Sequence, residues 1–189
     1  RGQKMTTLEM FKKIRKGGYT HNWLGVDWKV ENKYMVFEES DGKGDWAFNL
    51  LSVFRIPGRL GGTWFMFPLG AWIMWKSIKG TVKKLAKEGK VVAFLGYSQG
   101  GWWTAYSSAE TGLPGFTFGC PKLGRGQAHL FSNVTHWKNP GDVVTMVPPW
   151  AEIYGRVMVL NKEIARPYGL SEVEWLSHHA PEEYIARLS

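Results

Sequence analysis

Val91-Val92-Ala93-Phe94-Leu95-Gly96-Tyr97-Ser98-Gln99-Gly100-Gly101-Trp102-Trp103 is the stretch on which the fold turns. Val91 to Leu95 is a continuous apolar run of strand length, suited to a strand buried on both faces. A helix is expected to begin right after Ser98 and to continue to Glu110. Between the two stands G-x-S-x-G, the pattern of a nucleophile elbow, in which a sharp strand-to-helix turn exposes a serine oxygen above a sheet. Glycine flanks the serine on both sides because a side chain there would collide with the crowded turn. Alone, the pattern is weak in a chain with 23 glycines among 189 residues. The strand before it and the helix after it count against the bland reading, a glycine-rich turn that happens to carry a serine.

The same alternation continues on either side. Tyr34 to Phe37, Gly115 to Phe118, Val134 to Trp137 and Arg156 to Leu160 read as further short strands. Helices are expected from Thr6 or Thr7 to Lys16, from Ala71 to Glu88, and after Pro181, a residue suited to a first helical turn. Trp72, Trp75, Ile78, Val82, Leu85 and Ala86 recur at three-to-four spacing, with Lys76, Lys79, Lys83 and Lys87 elsewhere, which predicts an apolar inner face and a basic outer one. Strands alternating with helices predict an α/β fold with a mostly parallel central sheet flanked by helices. With no linker or internal repeat, residues 1–189 read as one domain, and the four residues before Met5 as a tag or processing remnant.

Composition narrows the function class. A 44% apolar and 21% charged chain is globular, and its 24 basic against 16 acidic side chains leave a net charge of +8. The lysines of 12–16 and 76–90 read as solvated helix faces that can also meet an anionic lipid surface. No nucleic-acid motif accompanies the charge, so nucleic acid is not an expected partner. The single cysteine, Cys120, excludes an internal disulfide and a Cys-based zinc site. His21, His129, His136, His178 and His179 have no ligand spacing, so neither metal nor cofactor is expected. The longest uncharged run, Leu60 to Trp75, is 16 residues and too short to span a membrane. No apolar leader segment follows the basic opening, and a cytoplasmic location is the expectation.

A serine nucleophile needs a base, and the base an orienting acid, in the chain order Ser, Asp or Glu, His on an elbow-bearing sheet. Of the four aspartates, Asp27, Asp41, Asp45 and Asp142, only Asp142 follows Ser98. It lies in Asn139-Pro140-Gly141-Asp142, just past the strand through Trp137, where a carboxylate faces the site. The plain alternative is an Asx-turn residue. Only His178 and His179 follow Asp142, and order alone admits either as the base or as a surface histidine.

Taken together, these segments resemble the class 3 lipases, the α/β-hydrolase group of fungal triacylglycerol lipases and their bacterial relatives. Gly96-Tyr97-Ser98-Gln99-Gly100-Gly101 is similar to the family's G-H-S-L-G-G, and Thr117-Phe118-Gly119-Cys120-Pro121-Lys122-Leu123-Gly124 to its T-F-G-x-P-R-x-G. Asn139-Pro140-Gly141-Asp142-Val143-Val144 with Val147-Pro148-Pro149 resembles its N-x-x-D-x-V and later proline pair, and His179 with Tyr184 its closing histidine and aromatic. Phe37-Glu38-Glu39-Ser40, Asp45-Trp46 and Asn49-Leu50 occupy the places of F-R-G-T and D-W-x-x-N-L.

The resemblance implies Ser98 as nucleophile, Asp142 as orienting acid and His179 as base, with His178 the alternative. It implies an oxyanion hole from the backbone N–H groups of Gln99 and Ser40. The chain departs from the family where Glu38-Glu39 replaces Arg-Gly and where Tyr97 replaces a histidine. Leu50 to Trp75 falls where the family has a lid or acyl pocket, and core packing is the competing reading of its aromatics. The activity implied is ester hydrolysis on acyl-ester lipids, with transient contact to a lipid or anionic membrane interface. The alternatives are a phospholipase or monoacylglycerol-type esterase on the same triad, and a non-catalytic protein that binds anionic membranes.

Overall fold

A computed structural model describes residues 5–21, 24, 26–38, 51–161 and 178–189. Helix α1 (Thr7–Arg15) opens on a capping box, in which the Thr6 hydroxyl accepts the Glu9 N–H at 3.2 Å and the Glu9 carboxylate accepts the Thr6 N–H. Strands β1 (Thr20–His21), β2 (Asp27–Glu31) and β3 (Tyr34–Glu38) follow, then the hairpin of β4 (Arg55–Leu60) and β5 (Thr63–Pro68). Helix α2 (Leu69–Lys87), β6 (Ala93–Tyr97), helix α3 (Gly100–Thr111), β7 (Gly115–Phe118), β8 (Val134–Lys138), β9 (Arg156–Val159) and helix α4 (Pro181–Leu188) complete the order. The main sheet runs β1-β2-β3-β6-β7-β8-β9, antiparallel from β1 to β3 and parallel from β3 onward. The expected α/β fold, a mostly parallel sheet flanked by helices, is what the structure shows.

Strand periodicity divides the core between the two sheet faces. Met35 and Phe37 of β3 and Phe94 of β6 pack on one side with α2, α3 and the hairpin, through Trp75, Trp103, Phe65 and Phe67. Val36, Leu95, Tyr97 and Phe118 pack on the other with Phe11 and Ile14 of α1 and Tyr184 of α4.

Several boundaries and elements differ from the sequence reading. The strand expected at Val91 to Leu95 lies two residues later, because its parallel register with β3 begins where Ala93 meets Tyr34, while the Val92 side chain is exposed. The helix expected right after Ser98 begins at Gly100. Strand β2 has its polarity reversed: Asp27 and Lys29 are buried and Val30 is exposed, so no apolar alternation marks it. The Lys29 ammonium is satisfied there by the Lys16 and Gly17 carbonyls. Within the segment expected to form a lid or acyl pocket, residues 55–75 form the hairpin and the first turns of α2. Phe65, Phe67 and Trp75 are core, while Phe54 and Trp64 are exposed. The basic face of α2 is partly paired, with Lys79 and Lys83 at 3.2 and 3.3 Å from Glu110. Among the described residues, no helix is long and apolar enough to cross a membrane.

His136 on β8 is sealed in the interior. The Tyr154 carbonyl, 2.8 Å from Nε2, can only accept, so Nε2 carries the proton and Nδ1 accepts from the Thr117 hydroxyl at 2.6 Å. Burial pushes the imidazole down to about 4, against a smaller upward pull from the Tyr154 carbonyl. The folded chain therefore refuses a proton that the unfolded chain accepts near pH 6.5. Stability is full above about pH 6.5 and is lost as the pH falls toward 4, by about 3 kcal/mol from this group. Urea unfolding between pH 7 and 4.5 is expected to show this loss. In His136→Gln the slope of stability against pH is expected to be smaller by up to one proton, and an unchanged slope would count against His136 as its source.

Candidate active site

The C-terminal end of β6 turns into α3 within two residues. A Cβ at Gly96 would run into the Gly100 carbonyl and the Thr104 hydroxyl, and one at Gly100 would lie 2.5 Å from the Phe37 carbonyl, so both positions must be glycine for helix and sheet to touch. Ser98, between them, adopts φ +53°, a left-handed conformation that costs a non-glycine residue roughly 1–2 kcal/mol. Its N–H is held by the Phe118 carbonyl at 2.9 Å, and its own carbonyl receives the Gly101 N–H. Gln99 stands at the N-terminus of α3, the end of a helix whose dipole favours negative charge.

Asp142 lies in the turn after β8, opening a single 3₁₀ turn (Val143–Met146). It is buried, and its carboxylate is fixed by three neighbours. The Val144 N–H donates to Oδ1 at 3.0 Å, the Tyr184 hydroxyl donates to Oδ2 at 2.6 Å, and His179 Nδ1 approaches both oxygens at 3.0 and 2.9 Å. Burial, with Asp142 beside it, pushes the Tyr184 phenol well above its ordinary value, so it remains a donor. Because a carboxylate can only accept, Nδ1 of His179 donates to it and Nε2 is the nitrogen that can accept. That Nε2 lies 2.7 Å from Ser98 Oγ.

The structure thus brings Ser98, His179 and Asp142 together, from positions 81 and 37 residues apart in the chain. His178, the alternative base by order, turns to Glu183 at 3.1 Å, which also pairs with Arg187. Ser40 lies outside the described residues, as do Glu39, Asp45, Trp46, Asn49 and Leu50. Glu38, at the end of β3, pairs with Arg15 at 2.8 Å. Cys120 is close by, packed against Gly101, but burial pushes its thiol up and its Sγ lies 3.1 Å from the Pro121 carbonyl, so it remains a neutral thiol.

Two residues of the site carry no role in the sequence reading. Tyr184 is only the aromatic of a motif there, yet its hydroxyl bridges the Asn139 N–H at 3.2 Å and the Asp142 carboxylate. Gly119, at φ +58°, leaves the room that the His179 ring occupies: a Cβ there would stand 2.8 Å from His179 Cε1 and 3.0 Å from the Tyr184 oxygen. The five-residue step from His179 to Tyr184 across a proline-led helix start is the signal for the first. The Thr117-Phe118-Gly119 turn that ends the strand beside the elbow is the signal for the other.

No family model matches the chain, and no curated protein matches it. Among solved structures it is similar to the mono- and diacylglycerol lipase from Aspergillus oryzae, with 17% identity and a TM-score of 0.50, over 69% of this chain and 56% of that one. It is also similar to lipase II from Rhizopus niveus, with 13% identity and a TM-score of 0.49, over 70% and 60% of the two chains. At the first of these levels the likeness is one of fold: a lipase-like α/β architecture. The chain spans little more than half the length of those lipases.

Gly119→Ala adds a methyl group where the imidazole stands and forces a non-glycine residue into positive φ. The added Cβ is expected to push His179 off Ser98, cutting the rate of Ser98 labelling by a fluorophosphonate at least about tenfold in a variant that still folds by circular dichroism. Labelling at the unchanged rate would show that the base has slack at this edge.

Proposed function

We propose that this protein is a serine hydrolase of carboxylic esters, and that its substrates are acyl esters of lipids. One observation carries the reading: a histidine joined at 2.7 Å to a serine hydroxyl on a strained strand-to-helix turn and at 2.9 Å to a buried, triply held carboxylate. Such an arrangement supplies what a serine needs to attack at neutral pH.

In this reading His179 Nε2 accepts the Ser98 proton as Oγ attacks the ester carbonyl. Asp142 holds the imidazole in the Nδ1–H tautomer and offsets the imidazolium charge that forms. The tetrahedral oxyanion is met by the Gln99 N–H at the start of α3, with the Ser40 N–H as second donor by resemblance to the family's pattern. The imidazolium then protonates the leaving alcohol, and a water activated by the same imidazole releases the acid and restores Ser98. The chemistry calls on no metal or redox partner.

The lipid part of the reading draws on the family resemblance and on the fold shared with an acylglycerol lipase. It also draws on an exposed apolar surface. Val53 meets the segment after the Asp142 turn, where the Trp150 indole donates to its carbonyl at 2.9 Å, and Val53, Phe54, Met146 and Val147 are all exposed. Hydrolysis of p-nitrophenyl esters of increasing acyl length, with and without a lipid interface, tests the whole reading. Ser98→Ala and His179→Ala are each expected to lower kcat by at least about 10³-fold, while His178→Ala stays within about tenfold of the parent. No Ser98-dependent turnover on any ester would reject the hydrolase. An optimum at short acyl chains would reject the lipid part alone.

A further inference from the structure

His179 is hydrogen-bonded at Nδ1 and at Nε2, and its third anchor is the Cβ that carries the ring, so the imidazole is held only as well as the backbone of its turn is. The ring is also carried on a short turn that lies between residues outside the described set and the first turn of α4, with no strand pairing to hold it. Something must fix both the plane of the imidazole and the backbone it hangs from, because misplacing a base by 1 Å can cost a reaction about 10²-fold.

We infer that Tyr97 is the positioning residue of the base, holding His179 through its ring and through its hydroxyl at once. The phenol ring stacks on the imidazole with centroids 5.1 Å apart and planes 15° from parallel, and so backs one face of the imidazole against tilting and side-chain rotamer changes. The Tyr97 hydroxyl donates to the His179 carbonyl. That bond is one of four on three successive carbonyls: Asn139 Nδ2 donates to His178 at 2.9 Å, Tyr97 to His179, and the Glu183 and Tyr184 N–H groups to Ala180. A turn with no regular structure is thereby tied down residue by residue.

Tyr97 is itself immobilised. Phe11 of α1 meets its ring edge-on at 5.5 Å, Tyr184 does so at 5.9 Å, and the Arg15 guanidinium lies 5.9 Å from its centroid while pairing with Glu38. Since Tyr97 directly precedes Ser98, the nucleophile and the clamp on its base are neighbours in the chain. Their relative placement is set by one peptide unit, not by the docking of distant elements. The tyrosine that departs from the family's pattern thus has work at this position that a smaller side chain does not perform.

This inference rests on the hydrolase reading, and two measurements separate their fates. The low-field proton resonance of the His179 Nδ1–H bond to Asp142 needs no turnover, whereas kcat on a p-nitrophenyl ester does. In Tyr97→Leu, folded by circular dichroism, the resonance is expected to broaden or vanish, and kcat to fall about 10²-fold with KM within about twofold. Tyr97→Phe keeps the ring and is expected to keep the resonance, with a loss in kcat of about threefold. A folded Tyr97→Leu with resonance and kcat unchanged overturns the proposal, as does a fall in kcat that only tracks the fraction folded. If Tyr97→Leu does not fold, the wild-type protein carries the test: the His179 ring protons are shifted upfield by the stacked phenol, and positions like those of free histidine overturn it. No Ser98-dependent turnover in the wild type, together with loss of the resonance in Tyr97→Leu, would reject the hydrolase and retain the positioning.

Discussion

Helix α3 leaves strand β6 with only Ser98 and Gln99 between them, and it packs against the strand it has just left. For backbone to approach backbone so closely, Gly96, Gly100 and Gly101 can carry no side chain, since a Cβ at each would strike Thr104, Phe37 or Cys120. The cost of the reversal falls on Ser98, held at φ +53°. It is borne because α3 is buried from Gly100 to Ser108, with Trp102, Trp103 and Tyr106 sealed among the sheet, the hairpin and α2. The buried apolar area of this helix is what keeps a strained serine in place.

Around that turn the remaining groups converge because parallel strands end on the same side. Strands β6, β7 and β8 deliver Ser98, Gly119 and Asp142 just past their C-terminal ends, and the turn before α4 and the helix itself return His179 and Tyr184 to the same edge. The resulting network is closed: Asp142 accepts from Val144, Tyr184 and His179, and Tyr184 accepts in turn from the Asn139 backbone. Polar groups buried together in this way strengthen one another, and one left without its partner is costly. Phe11 of α1 underlies the assembly, stacked 5.6 Å from Tyr184 and edge-on to Tyr97, so the N-terminal helix supports the site from below the sheet.

Much of this architecture is legible along the chain, and the exceptions have physical causes. Helix α2 and the parallel strands show themselves because their burial is one-sided or complete, which writes a period into the residues. Strand β2 does not, because Lys29 is buried against backbone carbonyls while Val30 faces out, an arrangement decided by the Lys16 and Gly17 carbonyls rather than by hydropathy. The β4–β5 hairpin is hidden in an apolar run that looks like a lining or a lid, although Gly61 and Gly62, both at positive φ, carry the turn chemistry of a tight hairpin. Its buried aromatics proved to be core, and the exposed Phe54 and Trp64 could not be told from them by composition.

Residue order alone determined the elbow, the choice of Asp142 as the aspartate that follows it, and the limit of two histidines for the base, because each needs only a local pattern or a count. Tertiary structure gave the two histidines different surroundings. Two neighbours on one turn point in different directions, His179 into the site toward Ser98 and His178 toward Glu183, and no spacing rule sees that. It also decided that Tyr97 meets the imidazole and that Tyr184 meets Asp142. Those contacts join residues 82 and 42 positions apart, and only the packing of α1 and α4 against the sheet brings them within reach.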